Sequence, residues 1–116
     1  MRHRKKKVTL DRATAPRRAL LRCLTASVIL YEKIQTPEAN ARAVRPLVEK
    51  MITLGKKPTL TTRRQLLAFF HTENPVKKVI EDLGKRYADR RGGYTRTIKM
   101  GERQGDGASI VQIELV

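Results

Sequence analysis

Residues 74–100, which read NPVKKVIEDLGKRYADRRGGYTRTIKM, decide the fold, because the spacing of their apolar side chains changes partway along the segment. In the first half the apolar residues recur every three to four positions, which predicts one buried face of a helix. This face consists of Val76, Val79, Ile80, Leu83 and Tyr87. Gly92 and Gly93 stop the helix, and the spacing then shortens to two, which predicts a strand. The residues on one side of that strand are Tyr94, Ile98 and Met100.

Helical spacing also fills most of the chain before this segment. Thr14, with Pro16 in the first turn, predicts the start of a first helix. Its apolar face consists of Leu20, Leu24, Val28 and Tyr31. Cys23 lies beside this face and is expected to be a small buried residue. Residues 34–36 are long enough only for a brief strand.

A second helix is predicted to begin at residues 36–38, Thr-Pro-Glu, with the threonine as cap, the proline at the first helical position and the acid near the positive end. Its apolar face consists of Val44, Leu47, Val48, Met51 and Ile52. Pro46 interrupts this pattern and is expected to kink the helix or to delay its regular part. Gly55 is expected to end the helix.

The remaining elements complete an α+β arrangement. Thr59 predicts the cap of a third helix with Leu66, Leu67, Phe69 and Phe70, and Asn74-Pro75 begins the fourth. A glycine-rich connection leads to a last strand with Val111, Ile113 and Leu115 on one side. The predicted order is helix, short strand, three helices, two strands. About four helices would pack in two layers on a small sheet of two to three strands. Residues 1–12 are expected to form a basic N-terminal arm and residues 13–116 a single globular α/β domain.

Charge narrows the class of partner. The chain has 26 Lys and Arg against 11 Asp and Glu, and sixteen of the 26 lie in residues 1–22 and 85–103. A polyanion stabilises such an excess of positive charge, so nucleic acid, an anionic membrane or an acidic protein could be the partner. The lone Cys23 suits a reducing compartment, and no apolar run approaches the ~18 residues of a membrane span. We therefore expect a soluble, cytoplasmic protein; an organellar matrix remains an alternative. A membrane-surface partner is not expected, because the cations collect in the N-terminal arm and in a glycine-rich segment and not along one face of an amphipathic helix.

The two basic blocks are the candidate RNA-binding site. Arginine binds phosphate through paired hydrogen bonds, and paired glycines let a ligand approach the backbone. Tyr94 could stack on an exposed base, or it could be a half-buried strand residue. The candidate residues are Arg2, His3, Arg4, Lys5, Lys6, Lys7, Arg12, Arg17, Arg18, Arg22, Arg86, Arg90, Arg91, Gly92, Gly93, Tyr94, Arg96, Lys99 and Arg103.

Catalytic and metal-binding patterns are sparse. His3 and His71 lie far apart in the sequence, and no Cys or His spacing suits zinc. Asp106 lies between glycines, where a turn role is favoured over metal binding. We expect no catalytic residue, no metal and no cofactor. The other classes considered are a membrane-surface binder, a small basic nuclease and a sequence-specific DNA binder that would use Arg63 and Arg64.

Several motifs together resemble those of a known family. Residues 86–96, RYADRRGGYTR, look like the signature of the bacterial large-subunit ribosomal protein seventeen family, and residues 105–116 look like its C-terminal end. Residues 1–4 and 45–50 are similar to the family's start and second helix, so the resemblance covers essentially the whole chain. The chain departs from the family pattern in residues 7–11, at Arg91, where proline is common, and at Gln104, where arginine is common.

The resemblance implies both a fold and a place of action. It implies a helix-rich two-layer α/β domain that acts as a structural constituent of the large ribosomal subunit. The partner would be large-subunit rRNA, at the outer surface toward the nascent-chain exit side, with neighbouring ribosomal proteins alongside. It further implies no catalytic residues and no cofactor, and we do not expect a homo-oligomer.

Overall fold

The predicted order of helices and strands is confirmed. The computed structural model describes residue 3 and residues 8–116. The elements are α1 (Thr14–Tyr31), β1 (Lys33–Pro37), α2 (Glu38–Gly55), α3 (Leu60–Phe70), α4 (Glu73–Lys78), a π-helical segment (Val79–Leu83), α5 (Gly84–Arg86), β2 (Thr95–Glu102) and β3 (Ser109–Leu115). The fourth predicted helix corresponds to α4, the π-helical segment and α5, which follow one another without a break. None of the helices in residues 8–116 is long and apolar enough to cross a bilayer.

The sheet has three antiparallel strands in the order β1-β3-β2. The brief strand predicted at residues 34–36 is an edge strand, with Ile34 opposite Ile113 of the central strand. On the other edge Thr97 lies opposite Ile113, and the register shifts between Lys99 and Gly101. Helices α1 and α2 pack against the sheet, so the predicted two-layer α+β class is confirmed.

The core lies between these two layers. Its residues come from each predicted apolar face, which confirms the helical spacing as the main signal. They are Val28, Ile29, Val44, Val48, Met51, Ile52, Leu66, Phe70, Val76, Val79, Leu83, Tyr87, Tyr94 and Ile113.

The buried face of α1 is rotated relative to the prediction. Tyr31 is 71% exposed and Cys23 is also exposed, so both were wrongly assigned to the buried side. Thr25 and Ile29 are fully buried instead. Burial of Thr25 is tolerated because its hydroxyl donates to the Leu21 carbonyl oxygen at 2.7 Å.

The face assignment in β2 was also wrong. Tyr94 precedes β2 and is buried, whereas Ile98 and Met100 are 42% and 49% exposed. Thr95, the first residue of β2, is buried and lies opposite Leu115. The side of β2 that carries Thr95 is therefore the side that faces the core. Side chains alternate between the two faces of a strand, so a core side that includes Thr95 leaves Ile98 on the opposite face.

The start of α2 differs from the prediction as well. Thr36 belongs to β1, where it pairs with Val111, and it does not cap the helix. Pro37 occupies the cap position, and the helix begins at Glu38. The helix contains Pro46 in its interior and is helical from Glu38 onward, so its regular part is not delayed. The alternative expectation, a kink at Pro46, stays a prediction.

Gly55 ends α2 as expected, but for a different reason. The backbone of the next residue, Lys56, has the right-handed helical conformation, so the helix does not end in a left-handed glycine cap. Gly55 is instead buried against the segment that contains Val79 and Gly84. A Cβ atom on Gly84 would lie 2.4 Å from the Gly55 carbonyl oxygen. The two helical segments therefore touch through their backbones at this point.

The predicted cap of α3 is confirmed, and replacing it should have a measurable effect. Thr59 accepts a hydrogen bond from the Thr62 backbone N–H at 3.2 Å. We expect Thr59→Ala to lower the free energy of unfolding by about 1 kcal/mol, the usual cost of losing such a cap. Chemical denaturation measures this change. Thr59→Ser should keep most of the stability, and Thr61→Ala, an exposed neighbour within α3, should cost less than the cap. Equal losses for Thr59→Ala and Thr61→Ala would contradict the capping role.

Candidate nucleic-acid interface

The candidate lysines and arginines that the structure describes fall into two groups according to their ion pairs. Arg86 contacts Glu32 at 2.7 Å and Asp82 at 2.9 Å, and Arg96 and Arg103 pair with Glu114 and Asp106. Within residues 8–116, no carboxylate lies within 4 Å of the basic groups of the second set. That set consists of Arg12, Arg17, Arg18, Arg22, Arg90, Arg91 and Lys99. Cations without a carboxylate partner can contact phosphate without first breaking an internal pair.

The ion pairs also hold their acids ionised. The hydrogen bond from Arg96 lowers the pKa of Glu114, and the one from Arg103 lowers the pKa of Asp106 to about 2. The hydrogen bond from Arg86 likewise lowers the pKa of Glu32. Near neutral pH these carboxylates stay charged and neutralise their arginines.

The structure distributes the second block over several places. Arg86 at the end of α5 bridges to Glu32, which follows α1. Arg103 lies in the connection after β2, where Asp106 also accepts the Ala108 backbone N–H at 3.2 Å. The turn role predicted for Asp106 is therefore confirmed. The cations of residues 85–103 therefore lie on several elements, namely α5, the turn after α5, β2 and the connection after β2.

Arg90 and Arg91 lie in an exposed turn that is fixed to α2. Gly92 and Gly93 have φ values of +81° and +63°, the left-handed conformations expected of the paired glycines. The Arg90 carbonyl oxygen accepts hydrogen bonds from the Lys56 ammonium group and from the Tyr94 hydroxyl. These bonds involve only the backbone of Arg90, and the side chains of Arg90 and Arg91 are both exposed to solvent.

Tyr94 is a core residue and does not present its ring to a base. It is 1% exposed, and its ring packs against Tyr87 with centroids 5.1 Å apart. Lys56 lies 4.8 Å above the ring, and the Tyr94 hydroxyl is 3.3 Å from that of Thr53. Burial raises the pKa of Tyr94, but hydrogen bonds from Lys56, Thr53 and the Gly92 backbone together lower it below its usual value. The stacking alternative was wrong; Tyr94 instead anchors the turn.

The first basic block is described only in part. Arg2, Arg4, Lys5, Lys6 and Lys7 lie outside the described residues, and His3 is exposed. The rest of this block surrounds the N-terminal half of α1. Arg17 is only 7% exposed and donates to the Arg12 carbonyl oxygen at 3.4 Å, whereas Arg18 is exposed. Arg22 donates from Nε to the Phe69 carbonyl oxygen at 2.8 Å.

Two cations that the sequence analysis did not select lie beside Lys99. Arg42, Arg45 and Lys99 line a groove of about 260 Å³ between α2 and the sheet, with Glu38 on the same side. Arg42 pairs with Glu38 at 2.8 Å, and Arg45 lies 3.8 Å from Glu49. Spacing could have placed Arg42 and Arg45 near each other on one helix. Only the packing of α2 on β2 brings Lys99 to them.

Histidine and other metal-ligating side chains are the last candidates for a site. His71 is exposed and ends α3 in a left-handed conformation. Across residues 8–116 and residue 3, no three His, Cys, Asp or Glu side chains group so that they could hold a metal ion.

Comparisons with known proteins identify relatives of the chain. The family model described as ribosomal protein L17 matches residues 20–116. The large ribosomal subunit protein bL17 of Dehalococcoides mccartyi is 51% identical over 116 residues, which cover 100% of this chain and 99% of that protein. The protein of the same name from Exiguobacterium sp. is 50% identical over 112 residues, covering 92% and 96%. That from Solibacter usitatus is 53% identical over 116 residues, covering 100% and 77%.

These matches place the chain in the class of ribosomal proteins. The chain belongs to the ribosomal protein L17 family, which confirms the resemblance seen in its motifs.

Proposed function

We propose that the chain is a structural constituent of the large ribosomal subunit that binds folded rRNA through phosphate contacts and stabilises it. Its relatives are named as proteins of the large ribosomal subunit. The proposed phosphate contacts rest on one observation: several arginines around α1 and at the glycine turn have no carboxylate partner in the described residues. They include Arg18, Arg22, Arg90 and Arg91. We propose no catalytic role, because phosphate contacts alone account for these residues.

Binding would depend on arginines held by rigid elements. The Arg90–Arg91 turn is tied to α2 through Lys56 and to the core through Tyr94, so the backbone is already ordered before RNA arrives. Prior ordering lowers the entropy cost of association. Each phosphate that is neutralised also releases condensed counterions, which favours binding at low salt.

The arm at residues 1–12 would extend this surface. Arg2, Arg4 and Lys5–Lys7 add cations to the end of the chain that leads into Val8, and Val8 lines a groove with Arg17 and Arg42. The arm and α1 would therefore contact the same stretch of rRNA. We place the protein on the cytoplasmic ribosome, at the outer surface toward the nascent-chain exit side, as the family resemblance implies. Neighbouring ribosomal proteins would lie beside it, and we propose that it does not form a homo-oligomer.

Salt dependence tests this function directly. If the arm and the unpaired arginines meet ~6–10 phosphates, log affinity for large-subunit rRNA should fall with log salt at a slope of roughly −4 to −9. Filter binding over a range of salt concentrations gives the slope. Duplex DNA and anionic lipid vesicles are the comparison ligands, and folded rRNA should bind more tightly than either. A nearly flat salt dependence, or equal affinity for all three ligands, would exclude the proposed function.

A further inference from the structure

A groove between α1, α2 and α3 is separate from the glycine turn. Its apolar lining consists of Leu21, Leu47, Ala68 and Phe69, and Arg18 and Arg22 complete it. The volume is about 280 Å³, just below the usual range for small-molecule sites. Leu47, which the sequence placed in the core, is only partly buried because it faces this groove. A space of this size suits one flat ring system.

Hydrogen bonding and packing fix two of the groove's side chains. The bond of 2.8 Å from Arg22 Nε to the Phe69 carbonyl oxygen joins α1 to α3 and holds the guanidinium group in place. The Phe69 ring packs edge-on against Phe70, with centroids 5.0 Å apart and the planes at 85°. Guanidinium planes and aromatic rings are the side-chain groups on which unstacked RNA bases lie.

The charge of the groove favours a nucleotide over an apolar protein side chain. No carboxylate is among its lining residues, and in the described part of the chain none pairs with Arg18. An aliphatic side chain of a protein partner would gain no electrostatic attraction from two cations, whereas a nucleotide carries both a flat base and an anionic phosphate. We propose that this groove receives the base of one unstacked rRNA nucleotide, whose phosphate contacts Arg18. The inference rests on the proposed function and adds a base contact to the phosphate contacts.

The experiment compares two single-stranded probes with the full chain. One is an oligoadenylate, and the other is an abasic oligonucleotide of the same length and the same ribose-phosphate backbone. Fluorescence anisotropy at low salt measures both affinities. Because a stacked base contributes a fewfold to more than a hundredfold in affinity, the oligoadenylate should bind at least about fivefold more tightly than the abasic probe.

Filling the groove should remove only the base-dependent part of binding. Ala68 is exposed in α3, so Ala68→Leu adds an aliphatic side chain to the groove without disturbing the core. In this variant the two probes should bind equally, and affinity for the abasic probe should stay at the wild-type value. Ala39→Leu is the matched control, because Ala39 is exposed in α2 and does not line the groove. The control should keep the fivefold preference.

The remaining outcomes separate failure of the inference from failure of the function. Equal affinity of the wild-type chain for both probes, with a steep salt dependence, would overturn the base site and leave phosphate binding intact. A preference that survives Ala68→Leu would place base binding elsewhere and also overturn the inference. Absence of salt-dependent binding to either probe and to rRNA would overturn the proposed function itself.

Discussion

Replacing Gly84 with alanine is expected to lower the free energy of unfolding by about 2–3 kcal/mol, although alanine favours helix formation. The new Cβ atom would lie 2.4 Å from the Gly55 carbonyl oxygen and 3.1 Å from the Val79 carbonyl oxygen. Both neighbours are backbone atoms, so no side-chain rotation relieves the contact. The two helical segments must move apart, and the packing of Val79 and Leu83, both fully buried, then loosens. Chemical denaturation monitored by circular dichroism measures the loss.

The control for Gly84→Ala is a substitution in the same helical segment without a steric conflict. Lys85 is exposed, so Lys85→Ala should change the free energy of unfolding by no more than about 0.5 kcal/mol. An exposed helical glycine replaced by alanine would gain roughly 0.5–1 kcal/mol, so the expected sign at Gly84 is the reverse of its helix propensity. A stability gain for Gly84→Ala would show that the close backbone contact between α2 and this segment is absent.

Replacing Arg90 and Arg91 together with alanine is expected to weaken rRNA binding by ~60-fold at about 0.1 M salt. The estimate takes one phosphate per arginine and a slope of ~0.9 in log affinity for each phosphate. The slope against log salt should accordingly become less steep by roughly 2. The hydrogen bonds that hold the turn involve the Arg90 carbonyl oxygen, which the substitutions retain. Stability should therefore stay within about 0.5 kcal/mol of the wild-type value.

A charge-matched variant tests whether the internal ion pairs matter. Arg96→Ala with Arg103→Ala also removes two positive charges, but these arginines already pair with Glu114 and Asp106. Its slope should change by less than about 1. Filter binding of both double variants to the same rRNA, with melting temperatures as the folding control, gives the comparison. If the two variants lost affinity equally, net charge alone would govern binding and the turn would have no special role.

The fold was largely predictable because its signals are local. Helical spacing identifies a buried face from residues three and four apart, so Val44, Val48 and Ile52 could be assigned to the core from the sequence. Thr59 was identified as a cap because the group it bonds lies only three residues away. Some errors lie at element edges, where Thr36 joins β1 rather than capping α2 and Tyr31 leaves the buried face of α1. Others lie inside elements, where Cys23 and Ile98 are exposed. At these positions strand pairing and helix rotation outweigh local preference.

The candidate site was less predictable because it depends on distant partners. The sequence locates the cations of residues 85–103, but it cannot show that Arg86 and Arg96 are paired while Arg90 and Arg91 are not. Arg96 meets Glu114 only because β2 and β3 are adjacent in the sheet. The groove beside Arg22 likewise requires α1 and α3 to pack together, since its partner Phe69 lies 47 residues away in the chain.

The sequence by itself determined the order of helices and strands, the positive charge and the family, because each of these is carried by composition or by short motifs. Tertiary structure alone decided that Tyr94 is a core anchor rather than a stacking surface, and that Gly55 and Gly84 bring two backbones together. It also decided which arginines have no carboxylate partner. The physical reason is common to all three: burial, steric contact and ion pairing depend on distances between residues far apart in the chain, which folding sets and local pattern does not.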